Sequence, residues 1–124
     1  MNRIDQLFDK KKNGILSVFF TAGYPRLDDT ASIIESLAEN GVDLIEIGVP
    51  FSDPLADGPV IQTASTQSLK NGMSVKLLFN QLADIRQKVS VPLILMGYLN
   101  PIIQFGPERY FKTAAECGID GLII

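Results

Sequence analysis

Two carboxylates stand out for their chemistry. Glu46 lies inside the apolar run Leu44-Ile45-Glu46-Ile47-Gly48-Val49, and Asp57 follows eleven positions later in Pro50-Phe51-Ser52-Asp53-Pro54-Leu55-Ala56-Asp57-Gly58-Pro59. A carboxyl group among apolar neighbours is costly unless it is paired, protonated or used. Desolvation disfavours the charged form, which would equip Glu46 to act as both acid and base near neutrality. A pairing with a Lys or Arg from a later element is the competing reading. Asp57 precedes Gly58-Pro59, so it could cap a following helix or accept loop amides. Together the two could form a divergent pair, one moving protons and the other staying ionised to stabilise positive charge. Asp53 precedes a proline and reads as a turn residue.

Other chemistries lack their residues. The 124-residue sequence has no histidine and one cysteine, Cys117, which excludes imidazole catalysis and an internal disulfide. A single thiol fits a reducing cytosol. No GxGxxG follows a strand, and no P-loop or CxxC pair is present, so neither a dinucleotide nor a metal is indicated. The net charge of −3 gives no reason to expect nucleic acid or an anionic membrane as partner. No apolar stretch is long enough for a bilayer, and Met1 to Asp5 carries no apolar signal-peptide core.

The elements that must hold these residues follow from periodicity. Residues 3–10 suit a short amphipathic helix with Ile4, Leu7 and Phe8 on one face. Apolar runs at 15–20, 42–49, 93–99 and 119–124 read as strands. Helical spacing fills the intervals: Ile33, Ile34, Leu37 and Ala38; Pro59 to Lys70; Leu78, Leu82, Ile85 and Val89 after a Ser74 cap; and 107–117 with Phe111, Ala114 and Ala115 buried. Asp28 and Asp29 suit a helix start, and Asn100-Pro101 reads as a turn. Near-continuous apolar strands alternating with helices describe a parallel α/β sheet covered on both faces. The sequence ends on a strand, which favours part of a (β/α)8 barrel over a doubly wound sheet, and a complete barrel takes about 250 residues. In a parallel sheet Phe19, Leu95 and Tyr98 lie at or near strand ends on the side of the acidic loop. They could wall an aromatic slot or belong to the ordinary core.

The segment Glu46 to Pro59 resembles the signature of the tryptophan synthase alpha chain family. Phe20-Thr21-Ala22-Gly23-Tyr24-Pro25 and Leu95-Met96-Gly97-Tyr98-Leu99-Asn100-Pro101 resemble its first and third strands with their turns. The resemblance covers the whole sequence and implies the first four strands of a TIM barrel with an extra N-terminal helix, the N-terminal half of one domain. It implies a lyase of tryptophan biosynthesis in the cytoplasm, cleaving indole-3-glycerol phosphate to indole and glyceraldehyde 3-phosphate. By that resemblance Glu46 and Asp57 fall on the catalytic positions, and Phe19, Leu95 and Tyr98 on the indole pocket. Pro50, Asp53 and Pro54 would face a beta chain that receives the indole, in a heterotetramer of two alpha and two beta chains. The turn near 100–105 would face it too. Pyridoxal phosphate would belong to the beta chain, and this chain would need no cofactor. The family's phosphate-binding loops after strands seven and eight, and its lid after strand six, have no counterpart here. A non-catalytic half-barrel that folds with or binds a beta chain is therefore the alternative. Another phosphate-binding barrel lyase or isomerase is the third choice, and the Pro-Phe-Ser-Asp-Pro loop argues against it.

Overall fold

A computed structural model describes residues 2–124. Helix α1 (Arg3–Lys10) leads into strand β1 (Ser17–Thr21). A 3-10 turn (Leu27–Asp29) opens α2 (Thr30–Glu39), and β2 (Leu44–Gly48) follows. Next come α3 (Pro59–Lys70), α4 (Val75–Leu82) and a 3-10 turn (Ile85–Gln87). Strand β3 (Leu93–Met96), α5 (Leu99–Phe105), α6 (Pro107–Glu116) and β4 (Gly121–Ile123) complete the order. The strands form one parallel sheet in the order β1-β2-β3-β4.

Local chemistry sets the helix boundaries. Asn2 and Asp5 cap α1 reciprocally, each side chain accepting the other's backbone N–H at 3.0 and 3.3 Å. Ser74 Oγ accepts the Leu77 N–H at 3.1 Å to start α4. Pro59 occupies the first turn of α3, where its missing N–H has no partner to lose. Gly106, at φ +105°, joins α5 to α6 through a conformation that side chains rarely adopt.

Side-chain alternation divides the sheet into two unlike faces. Ile45, Ile47, Leu93 and Leu95 are fully buried against the helices with Ile34, Leu78 and Leu82. The opposite face carries Ser17, Phe19, Glu46, Ile94 and Met96, none of them fully buried.

At the N-terminal end of the strands the chain closes a charged network. The Asp120 side chain is 3% exposed. It accepts from Arg86 Nη2 at 2.6 Å, from Arg3 Nη1 at 3.0 Å and from the Leu93 N–H at 2.9 Å. Arg86 also donates to the carbonyls of Gly118 and Val91, each at 2.6 Å. Burial lowers the Arg86 pKa from its ordinary value, while Asp120 opposes that shift.

Three expectations are corrected. The helix after Ser74 ends at Leu82 and gives way to the 3-10 turn. Asn100-Pro101 is the first turn of α5 and not a loop turn, because the first four N–H groups of a helix have no intrahelical acceptor and proline costs nothing there. Along α6 and its cap residue the buried stripe is Tyr110, Ala114 and Cys117, spaced i, i+4, i+7. Phe111 and Ala115 are exposed, and Tyr110 packs on Phe79 with ring centroids 5.2 Å apart.

Candidate functional site

Strand β2 positions the site because its alternation sends Ile45 and Ile47 to the helices and Glu46 and Gly48 to the open face. The apolar neighbours that bracket Glu46 in sequence therefore do not enclose it, and the side chain is half-buried. Parallel register aligns Phe19, Glu46 and Ile94 in one row, and Thr21, Gly48 and Met96 in the next row toward the strands' C-terminal ends. Gly48 makes room for aromatic packing: a Cβ there would meet Phe19 Cζ at 2.5 Å. Only glycine lets the Phe19 ring cross onto this row.

Above these rows lies a cavity of about 490 Å³. Phe19, Thr21, Gly48 and Met96 line it from the strands, Phe51, Pro54 and Asp57 from the acidic loop, and Tyr98 and Asn100 from the segment after β3. The lining is mostly apolar with few polar groups, the usual character of a small-molecule site.

The loop that carries Asp57 is held at several points. Ser65, buried on α3, accepts the Phe51 N–H at 3.0 Å and donates to the Phe51 carbonyl at 3.1 Å. Gln62 Nε2 donates to the Asp57 carbonyl at 2.8 Å. The Tyr98 hydroxyl accepts the Ala56 N–H at 2.9 Å and donates to Asp57 Oδ2 at 3.2 Å. The rings of Phe51 and Tyr98 pack with centroids 5.3 Å apart. The cap position of α3 is Gly58, with no side-chain cap, so the Asp57 carboxylate is not spent on the helix. It faces the cavity, half-buried and bound by one phenol.

Glu46 lies below this cavity and is not among its lining residues. Its Oε1 accepts a hydrogen bond from Ser17 Oγ at 2.9 Å, one row toward the N-terminal end of the sheet. It forms no ion pair among the described residues. No described cluster of three carboxylate or thiol groups could hold a metal. No described helix is long and apolar enough to cross a membrane.

The other expected residues divide. Phe19 and Tyr98 line the cavity. Leu95 does not: it is 1% exposed on the helix side of β3, and Met96, one residue later, takes the cavity face. Asp53 is exposed on the loop, where Ser52 Oγ donates to its Oδ2 at 2.8 Å. Pro54 is half-buried and lines the cavity. Pro50, expected at a partner surface, is instead buried and lines the cavity too. Beyond those expectations, the structure adds Met96, Thr21, Phe51, Ser65 and Gln62. Register with Gly48 would have found Met96 and Thr21. No short-range signal marks Ser65 or Gln62, whose partners lie across the loop.

A family model described as tryptophan synthase alpha chain matches residues 5–124. Among curated relatives, the tryptophan synthase alpha chain of Bacteroides fragilis is 61% identical over 124 residues, all of this chain and 47% of that protein. The Flavobacterium psychrophilum alpha chain is 62% identical, over 100% of this chain and 49% of that one. Among solved structures, tryptophan synthase subunit alpha from Legionella pneumophila superposes with a TM-score of 0.95 at 41% identity, over 100% of this chain and 49% of that one. Tryptophan synthase from Mycobacterium tuberculosis gives 0.90 at 30% identity, over 98% of this chain and 50% of that one. The chain spans about half the length of the curated relatives it matches. Its four parallel strands and the helices between them thus correspond to three βα units and the next strand of the family's (β/α)8 barrel. With the match running along nearly its whole length, this chain belongs to the tryptophan synthase alpha chain family.

Proposed function

We propose that residues 1–124 are the N-terminal half of a TIM-barrel lyase that cleaves indole-3-glycerol phosphate to indole and glyceraldehyde 3-phosphate. The observation that carries this reading is the Asp57 carboxylate at an apolar, aromatic cavity, one strand end above Glu46. The apolar, aromatic lining by Phe19, Met96 and Tyr98 opposite the acidic loop suits a flat aromatic ring such as indole.

The reaction divides between the two carboxyl groups. Protonated Glu46 delivers its proton to indole C3, and the ring nitrogen becomes cationic. Asp57, ionised, accepts the ring N–H and stabilises that charge. The Glu46 carboxylate then takes the proton of the hydroxyl on the adjacent glycerol carbon. The carbon–carbon bond breaks, its electron pair returns to the ring, and an aldehyde and indole leave. Each group works in the form its role demands, one cycling its proton and the other staying charged.

In this reading the substrate phosphate is bound by loops outside these residues. Indole passes to a beta chain in the cytosol, and Asp53 on its exposed loop faces that partner. Pyridoxal phosphate is the beta chain's cofactor, and the alpha reaction uses none. Indole release by the full-length protein tests the proposal. Glu46→Gln should lower the rate about 10²–10⁴-fold while leaving the circular dichroism unchanged. Normal turnover by that variant would show that Glu46 is not the proton carrier.

A further inference from the structure

The pairing of β2 with β3 runs on to Val49, whose N–H donates to the Met96 carbonyl at 2.8 Å. Pro50 has no N–H to offer, and the backbone groups that follow must find partners away from the sheet. For Phe51 one atom supplies both. Ser65 Oγ, on α3, accepts the Phe51 N–H at 3.0 Å and donates to the Phe51 carbonyl at 3.1 Å. Further along, the backbone hydrogen bonds of the acidic loop are short turns, from the Leu55 N–H to the Asp53 carbonyl and from the Asp57 N–H to the Pro54 carbonyl. Such turns shape the loop without tying it to the rest of the fold. The ties are made by Ser65, Gln62 and Tyr98.

Three contacts in series join Ser65 to Asp57. Ser65 holds the Phe51 peptide, and the Phe51 ring packs on the Tyr98 ring with centroids 5.3 Å apart. The Tyr98 hydroxyl then holds the Ala56 N–H and Asp57 Oδ2. We infer that Ser65 is a positioning residue that sets where the Asp57 carboxylate stands, acting through Phe51 and Tyr98. This rests on the proposed reading of Asp57 as the group that stabilises charge on the ring. Ser65 is 4% exposed, and every group in the series lies between positions 51 and 98 of the described chain. A charged group stabilises a transition state only where it already stands at the site of the developing charge. A displacement of about 1 Å can cost on the order of 10²-fold in rate.

In the full-length protein, Ser65→Ala should lower kcat for indole release roughly tenfold and leave KM within about threefold, because the charge it places acts in the transition state. Ser65→Cys keeps the volume, exchanges the hydroxyl for a weak donor and acceptor, and should fall alike. In an Asp57→Asn background, Ser65→Ala should change the rate by less than about twofold, since the charge being placed is gone. A merely structural serine would lower Tm and leave the kcat of the folded protein as it was. That result overturns the inference, and so does an equal loss of rate with and without the Asp57 carboxylate, or a Ser65→Cys protein with the full rate. Hydrogen exchange reads the same series without turnover. The Ala56 amide, held by Tyr98 and untouched by Ser65, should exchange about two- to tenfold faster in Ser65→Ala. An unchanged Ala56 amide overturns the inference whether or not the protein is active. A wild-type protein that releases no indole overturns the functional reading instead.

Discussion

The two ends of the sheet treat charge in opposite ways. At the N-terminal end, Asp120 is almost wholly buried and receives two guanidinium groups and a backbone N–H. All these partners come from the chain itself, and they tie α1, the segment after α4, β3 and β4 together. At the C-terminal end, Asp57 holds one phenol, Asp53 one neighbouring serine, and both remain accessible. A saturated charge has no capacity left for a ligand, whereas an under-partnered one retains it. Barrels of this kind place stability at the N-terminal face and chemistry at the C-terminal face.

The sharpest way to break this comparison is to remove one aspartate from each end of the full-length protein. Asp120→Ala leaves the partly buried Arg86 guanidinium without its carboxylate partner and should cost about 3–5 kcal/mol in urea unfolding. Asp57→Asn keeps an acceptor for the Tyr98 hydroxyl and should cost less than about 1 kcal/mol. If the proposed reaction holds, the same change should lower indole release roughly 10²–10³-fold, because it removes the charge assigned to stabilising the ring nitrogen. Equal stability losses at the two positions would mean that the ends do not differ as described.

A second pair sits on one strand. Leu95 and Met96 are adjacent and apolar, yet only Leu95 is part of the helix-side core. Leu95→Ala should destabilise by about 2–5 kcal/mol, as a buried leucine does when truncated. Met96→Ala should cost no more than about 1 kcal/mol of stability and raise KM about five- to tenfold. Reversed effects would place the face of β3 one residue out of register.

That pair also marks where the sequence was legible. Strands and helices follow from apolar runs and helical spacing, because burial demands those patterns wherever an element packs. On β2 the polar Glu46 labels the open face, so the alternation can be read. On β3 the run Leu93-Ile94-Leu95-Met96 carries no polar residue, so nothing local says which side chains turn inward. Pairing with β2 decides it, and pairing is a long-range fact. The acidic loop was legible by its motif, whereas its supports were not. Tyr98 reaches Asp57 across 41 positions, and Ser65 holds Phe51 across 14. Arg86 was the least visible. Between Ile85 and Gln87 it looks like a solvated charge, and its role appears only when Asp120, 34 positions away, folds beside it.

The smallest expected effect concerns Asp43, a carboxylate of the N-terminal end that is not deeply buried. The Leu16 N–H donates to its Oδ2 at 2.8 Å, and Lys11 Nζ reaches the same oxygen at 2.9 Å. The backbone hydrogen bond first, and Lys11 second, hold its carboxyl below the ordinary aspartate value. The sign follows from linkage. A depressed native pKa gives stability that is present above the unfolded value of about 4, and that stability is lost as pH falls through the native value. Asp43→Asn keeps an acceptor for Leu16 and loses the charge, so Tm should fall slightly at neutral pH and stay as it is in acid, which makes the acid-side decline of Tm shallower. An unchanged acid slope would mean that the exposed partners of this end contribute nothing. Its contrast with the site end would then rest on Asp120 alone.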